Sequence, residues 1–305
     1  MTHTLSKYQI SGLNLPHTAD DHRLRRVLKA ALPNQETSKV NLNFPYWSAE
    51  FFNLNQVKIF QESIDTEQLA ILEIANRSLL EEAYHIENSG VGYMAKMTLL
   101  AETIEERMLY GLFAADEATH LSQISIFLPE IELISNKNPF LNLLAEVVEM
   151  ADRTVLLFVL QIVLEGWGLS HYRRLAKECH NQLLAEVFTS FLDAEARHHA
   201  TGSLLFEEIS PSKASQTLII EILAKFLMMV QVGPQNVLAS IAQVKGHLSR
   251  SQKIQILEEL DTETHSGSRL QLLRSLMQGK SADAIVQALD DRGAFLPLPA
   301  HQCVN

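Results

Sequence analysis

The chain has 305 residues, 47% of them hydrophobic and 20% charged, and its formal net charge is −11. This apolar content excludes a disordered chain, and the acidic balance argues against a nucleic-acid binder, which would carry a basic stripe. The two cysteines, Cys179 and Cys303, have no metal-like spacing, which predicts a reducing, cytoplasmic setting without disulfides. The sequence opens without a signal-peptide region, and the longest apolar run, 154–163, is too short to span a bilayer.

Long stretches rich in Leu, Ala and Glu predict an all-α protein, which we expect to form one domain over residues 1–305. Residues 1–64 are predicted to be an N-terminal arm with a short helix between Asp20 and Leu32. The aromatic segments of the arm, 44–47 and 51–52, either pack it onto the rest of the protein or line a substrate mouth. Residues 65–210 are predicted to form a four-helix bundle, and residues 211–305 a helical extension with helices at 213–230, 234–246, 250–278 and 281–291.

Asp65, with Gln68 three residues later, is predicted to start the first long helix of the bundle. Apolar residues recur along this helix at steps of three and four, and Glu82 falls on their stripe. Glu81 and Glu87 lie off the stripe and are expected to be solvated. The other members of the stripe are Leu72, Ala75, Leu79 and Ile86.

The turn that follows this helix has two candidate positions. Asn88–Gly92 resembles a helix end, whereas a later turn would lie near Leu100. Only the later turn brings Glu82 level with Glu117 of the next helix, because the two residues then lie almost equally far from it along the chain. The first helix is therefore predicted to run through the glycines.

A capping box formed by Thr103 and Glu106 predicts the start of the second helix, and Pro129 predicts its end. Glu106 is interpreted as a helix-end cap rather than a metal ligand. The predicted inner face of this helix consists of Glu106, Tyr110, Phe113, Glu117, His120, Ile124 and Phe127.

The third helix is predicted from Phe140 to Lys177, and the fourth from a cap at Asn181 to Ser210. Glu165 and Glu195 lie equally far before and after position 180, so the two acids are expected at the same height along their paired helices. The inner face of the third helix comprises Val155, Phe158, Ile162, Glu165, Leu169 and Tyr172. That of the fourth comprises Leu184, Phe188, Phe191, Glu195, His198, Gly202 and Leu205.

Two Glu-x-x-His pairs, Glu117–His120 and Glu195–His198, each place a carboxylate and an imidazole on one helix face. Composition alone predicts roughly one such match, and the chain has three when Glu82-x-x-His85 is counted. The joint pattern is the stronger indication, because each acid lies on an apolar face where an unpaired charge is costly. Together with the lone Glu82 and Glu165, the pairs make the ligand set of a di-iron or di-manganese site in a four-helix bundle.

Other residues near the ligands have predicted supporting roles. Asp116 and Asp193 are predicted to accept hydrogen bonds from the ligand imidazoles, with a solvated side chain as an equal interpretation for each. His85 is expected to support the ligands or to lie on the surface rather than to bind metal. His199 points about 100° away from His198 and is not expected to bind metal. A group of larger side chains either walls a substrate pocket or packs the core: Phe113, Leu169, Phe191, Tyr110 and Tyr172.

The pattern of Glu82, Glu117-x-x-His120, Glu165 and Glu195-x-x-His198 resembles that of ferritin-like di-iron carboxylate oxygenases, over roughly residues 66–208. Its long intervals between paired acids, from 82 to 117 and from 165 to 195, resemble those of the p-aminobenzoate N-oxygenase family, whose additional histidine falls at Phe191 here. This resemblance implies two iron ions, with manganese as the alternative at one or both positions. It also implies O₂ activation, a small organic substrate and an external electron donor.

Two other functions stay open on the sequence, a ferroxidase or iron-storage protein and a non-catalytic helical scaffold. The N-terminal arm and the C-terminal extension favour the oxygenase, because a storage shell needs little beyond the bundle. Neither nucleic acid nor membrane is an expected partner, and a homodimer through the outer helix faces is expected.

Overall fold

The computed structural model describes residues 9–19, 21–33, 45–128 and 138–304 of the chain. Within these ranges every regular element is a helix, which confirms the all-α class. The helices are α1 (Arg23–Ala31), α2 (Lys58–Gln61), α3 (Asp65–Leu100), α4 (Ile104–Ser125), α5 (Pro139–Met150), α6 (Arg153–Leu156), a π-helical segment (Leu157–Leu164), α7 (Glu165–Glu178), α8 (Gln182–Glu207), α9 (Lys213–Gln231), α10 (Gln235–Lys245), α11 (Arg250–Glu259), α12 (Thr262–Leu276) and α13 (Asp283–Asp291).

The chain divides into two compact units, each made from two stretches of sequence. The first unit comprises Met1–Leu42 and Leu80–Arg153. The second comprises Asn43–Leu79 and Thr154–Asn305. The start of α3 therefore belongs to the second unit, and the remainder of that helix belongs to the first.

Helix α3 runs without interruption from Asp65 to Leu100, which confirms the prediction of a late turn. Gly90 and Gly92 do not end it, because they are sites of close approach rather than breaks. A Cβ at Gly90 would overlap the Glu117 carboxylate, and one at Gly92 would overlap the Ile10 carbonyl. The two glycines thus let α4 and an N-terminal segment lie directly against α3.

Thr103 caps the start of α4 as predicted, whereas the other half of the predicted capping box is made to Glu102 instead of Thr103. Thr103 Oγ1 accepts the N–H of Glu106 at 3.1 Å. The Glu106 carboxylate accepts the N–H of Glu102 at 2.9 Å and a charged hydrogen bond from Arg153 at 2.8 Å. These contacts confirm that Glu106 is a helix-end cap. Pro129, predicted to end α4, lies outside the described residues, and the helix ends at Ser125.

The third long helix is interrupted, and the prediction of one helix from Phe140 to Lys177 is wrong. α5 ends at Met150, and a new helix begins at Arg153. The Lys96 ammonium of α3 donates hydrogen bonds of 2.8–3.1 Å to the carbonyls of Val148, Glu149 and Ala151. The last carbonyls of a helix have no N–H partner within that helix, and the Lys96 ammonium supplies one at the end of α5. A residue distant in sequence therefore stabilises the break.

In the second unit, α7 and the π-helical segment pack along α8. Asn181 caps α8 as predicted, accepting the N–H of Leu184 at 3.0 Å. Trp47 is fully buried, and its indole N–H donates to the Leu175 carbonyl of α7 at 3.0 Å. This anchoring favours packing over a substrate mouth as the role of the aromatic segment around Trp47.

The C-terminal helices also belong to the second unit, where α9 packs on α12 and α13. The helix predicted over 250–278 is instead α11 and α12, because Asp261 between them is left-handed, with φ of 50°. By length and composition alone, Arg153–Glu178 and Lys213–Gln231 could each cross a membrane. Core helices of soluble proteins pass the same test, and the apolar window of the first is 56% buried, which is compatible with a soluble protein.

Candidate metal centre

The first unit contains a buried triad formed by Glu87 of α3 and by Glu117 and His120 of α4. None of the three exposes more than 4% of its surface. His120 Nδ1 lies 3.0 Å from Glu87 Oε2 and 4.0 Å from Glu117 Oε2. One donor atom from each side chain lies within 4.8 Å of the other two, so this triad could hold a metal ion.

Glu87 occupies the place that the sequence pattern assigned to Glu82. It is only 1% exposed, so the expectation that it is solvated is wrong. Glu82 is half-buried, and its carboxylate accepts a 3.0 Å hydrogen bond from the side-chain amide of Asn138, the cap of α5. The buried face of α3 is shifted from the predicted stripe and includes Leu80, Ala83, Tyr84, Met94 and Met97.

The observed position of the turn also selects Glu87. The loop between α3 and α4 spans 101–103 and is centred on Glu102. Glu87 and Glu117 lie equally far before and after that centre (102 − 87 equals 117 − 102), so they are level on the two helices. Glu82 lies five residues further back, which is about 7 Å along the helix axis.

The second unit contains a triad of the same kind, formed by Glu165 of α7 and by Glu195 and His198 of α8. His198 Nδ1 lies 3.1 Å from Glu165 Oε2 and 3.9 Å from Glu195 Oε2. His198 is fully buried, Glu195 is 5% exposed, and the Glu165 side chain is 13% exposed. These three donors also lie within 4.8 Å of one another, so this triad too could hold a metal ion.

The two triads share one layout, in which a glutamate on the first helix of a hairpin faces a Glu-x-x-His pair on the second. The interval between the two acids is the same in both triads (117 − 87 equals 195 − 165). Every member of the first triad precedes its counterpart in the second by the same offset (87 to 165, 117 to 195 and 120 to 198). This constant offset is a sequence signal that favours Glu87 over Glu82 as the partner of Glu117 and His120.

Gln161 supports the second triad, and sequence reasoning did not assign it a role. It lies in the π-helical segment, is fully buried, and donates a 2.7 Å hydrogen bond to the His198 carbonyl. A Cβ at Gly202 would lie 2.7 Å from the Gln161 side chain, so that glycine makes room for it. The contact fixes the α8 backbone at the position of the imidazole. Its only signal in the sequence is a single amide within an apolar run.

His199 does not belong to the group of donor atoms, as predicted. Its Nδ1 faces the Gln161 carbonyl at 3.3 Å, and its ring lies against Gly166. His85 is buried, with its ring centroid 5.3 Å from that of Tyr84. Of the two predicted supporting aspartates, Asp116 is half-buried and Asp193 is exposed, which fits a solvated side chain for Asp193.

Four of the five predicted pocket residues are aromatic and form one ring-to-ring contact in each unit. Tyr110 and Phe113 are buried on α4, with ring centroids 5.8 Å apart. Tyr172 and Phe191 are buried in the second unit with centroids 5.4 Å apart, and Leu169 is half-buried. The helix α4, with one Glu-x-x-His pair, therefore carries both rings of a buried aromatic contact. The helix α8, with the other, carries Phe191, whose ring contacts Tyr172 of α7.

The composition of each triad fits a divalent metal ion. Two carboxylates that are both ionised in a buried place repel each other, and a cation offsets that repulsion. Three donors within 4.8 Å of one another surround a point no more than about 2.8 Å from each, so a contraction of under 1 Å reaches bonds of ~2.0–2.2 Å. Carboxylate oxygens with one imidazole are donors that several divalent metal ions accept, including zinc, iron and manganese.

No protein-family model, no curated protein and no solved structure matches this chain. The buried Glu and His triads are therefore the observation from which a function has to be argued.

Proposed function

We propose that each triad binds one metal ion, and that the chain is a di-metal carboxylate protein of the ferritin-like four-helix-bundle class that the sequence predicts. The observation that carries the proposal is the equivalence of the triads in residue type, burial, spacing and internal distances. Each triad supplies ligands for one ion. Two such sets make up the ligand complement of a di-metal carboxylate site in a helix bundle.

The function that this site supports best is O₂-dependent oxidation of a small organic molecule, by hydroxylation, N-oxygenation or desaturation. When bound, a pair of iron ions, or iron together with manganese, supplies O₂ activation. The four triad carboxylates would hold and neutralise the ions, and His120 and His198 would each ligate one. Gln161 would hold His198 in position through the backbone. The buried aromatic residues of α4 and α8 would exclude water from the reacting atoms.

The proposed kinship is with the di-iron carboxylate oxygenases as a whole. With Glu87 as the ligand, the first acid interval shortens to equal the second (117 − 87 equals 195 − 165), and both intervals stay long, as in the p-aminobenzoate N-oxygenase family. The histidine that this family carries in addition is replaced by Phe191 here. N-oxygenation stays one of three candidate reactions. We also propose a cytoplasmic protein, since its thiols, Cys179 and Cys303, form no disulfide. An external electron donor is part of the proposed oxygenase function.

The test is to load the full-length chain with ferrous iron under anaerobic conditions, measure the bound metal, and then follow the optical spectrum after O₂ is added. We expect two ions per chain and the spectrum of a coupled ferric pair. Glu117→Gln and Glu195→Gln should each lower the metal content. Glu82→Gln, a matched change on α3 outside the triads, should leave it unchanged.

Unchanged metal content and unchanged folding in both Glu117→Gln and Glu195→Gln would refute the metal centre. Continuous turnover of ferrous iron by O₂ with no organic substrate would instead identify a ferroxidase, and the oxygenase proposal would be wrong.

A further inference from the structure

The outward face of the α3–α4 hairpin tip is apolar and exposed. Ile104, Met108 and Leu112 follow one another at steps of four along α4, on the side opposite the buried Tyr110 and Glu117. The large apolar side chains at this tip are between 37% and 81% exposed: Leu99, Leu100, Ile104, Met108, Leu109 and Leu112. Such side chains along one helix face indicate a surface that another molecule covers.

Two small residues on the same face of α4, Gly111 and Ala115, are also exposed and also four residues apart. A Cβ at Gly111 would meet nothing within 4 Å, so no contact within this chain explains the glycine. Glycine in a helix interior is less favourable than alanine by about 1 kcal/mol. The close approach of a second helix would explain it.

We propose that this face binds a second copy of this chain through two antiparallel α4 helices. Ile104 and Ala115 lie symmetrically about the point between residues 109 and 110, and so do Met108 and Gly111. An antiparallel copy therefore sets Ile104 against Ala115 of the partner subunit, and Met108 against Gly111 of the partner subunit. Large side chains face small ones at both contacts. Such self-complementarity is what a two-fold symmetric interface requires.

The exposed apolar area reaches, at its upper bound, the size of a small specific interface. Full burial of a Leu, Ile or Met side chain removes ~60–120 Å² of apolar surface, so the exposed fractions at this tip amount to about 220–430 Å² per copy. An interface about 60% apolar with that content buries about 700–1,400 Å² in total, and the upper part of this range falls within the ~1,200–2,000 Å² of specific complexes. The net charge of −11 disfavours an anionic membrane surface as the occupant.

Sedimentation of the full-length chain tests this proposal, and we expect a dimer. Met108→Glu places two like charges within the interface and should raise the dimer dissociation constant ~100-fold or more. Met108 is 64% exposed, so helical content should not change, and the melting temperature should match that of the wild type at protein concentrations low enough for both to be monomeric. Leu204→Glu, at a 62% exposed position on α8, is the matched control and should leave the dimer intact.

Gly111→Leu separates packing from charge. Leucine is the better helix former, so the monomer should keep or gain stability, whereas the dimer should weaken ~10-fold or more because the close approach is blocked. A wild-type chain that remains monomeric at high concentration would overturn the proposal. So would a dimer that survives both Met108→Glu and Gly111→Leu, or a monomer that binds phospholipid vesicles through this face.

Discussion

Replacing Glu87 by glutamine should weaken metal binding and, at the same time, stabilise the metal-free protein. Glu87 and Glu117 are both buried, with donor atoms within 4.8 Å of each other. Two unit charges at that distance repel by roughly 3–4 kcal/mol at an effective dielectric constant of about 20. His120, 3.0 Å from Glu87, offsets part of this repulsion, so we expect a net gain of about 1–2 kcal/mol.

The assay is thermal unfolding at neutral pH, with and without Fe²⁺ or Mn²⁺. Without metal, Glu87→Gln should melt about 2–8 °C above wild type, because 1 kcal/mol corresponds to about 2–4 °C in a protein of this size class. With metal, wild type should gain stability that the variant lacks, since binding to the folded state stabilises it. Glu82→Gln, on the same helix, is the control and should respond to metal as wild type does.

A Glu87→Gln protein that binds metal as tightly as wild type would refute the assignment of Glu87. Lower stability of the metal-free variant would refute the charge-repulsion reasoning. Loss of metal in Glu82→Gln, with Glu87→Gln unaffected, would restore the residue that the sequence pattern first selected.

Gly90→Ala should destabilise the fold by about 1–3 kcal/mol in urea unfolding and weaken metal binding, because the added Cβ would overlap the Glu117 carboxylate. Gly111→Ala is the control, and an equal effect of the two substitutions would contradict this prediction. Burial, with Arg269 and Arg174 nearby, lowers the pKa of His171 from 6.5 to about 4, so between these values the unfolded chain takes up a proton that the folded chain does not. Stability should therefore fall as the pH drops from 6.5 towards 4, and urea unfolding of His171→Gln should show a flatter profile in that window. Asn181→Ala removes the cap of α8 and should cost about 1 kcal/mol in the same assay, and no loss would argue against the capping bond.

Most of the first hairpin could be predicted from sequence, but its inner acid could not be chosen from periodicity. α3 is apolar over much of its surface, so more than one stripe with steps of three and four fits the helix. The stripe through Leu79 and Ile86 selected Glu82, whereas the buried face passes through Leu80 and Ala83 to Glu87. Placing the turn at the loop centre, rather than at Leu100, would have corrected the choice.

In the second hairpin the acids chosen from the sequence, Glu165 and Glu195, are the ones that lie close together, because the turn predicted at 180–181 falls within the observed loop between α7 and α8. What the sequence did not reveal there is the helix break before it. Neither Ala151 nor Asp152 is a glycine or a proline, and the one local sign is that aspartate is favoured directly before a helix start. Lys96, far earlier in the chain, stabilises the break, because its ammonium donates to the carbonyls at the end of α5.

The π-helical segment, Leu157–Leu164, lies between α6 and α7. It lets the side chains of the two helices point in directions that are set independently. In an α-helix, one added residue turns every later side chain by about 100°, but a wider π turn can absorb such a residue locally. A one-residue insertion or deletion that is absorbed within the segment would therefore leave Glu165 and the rest of α7 facing α8 in the same direction. The sequence before α7 can thus change in length without turning this glutamate away from Glu195 and His198.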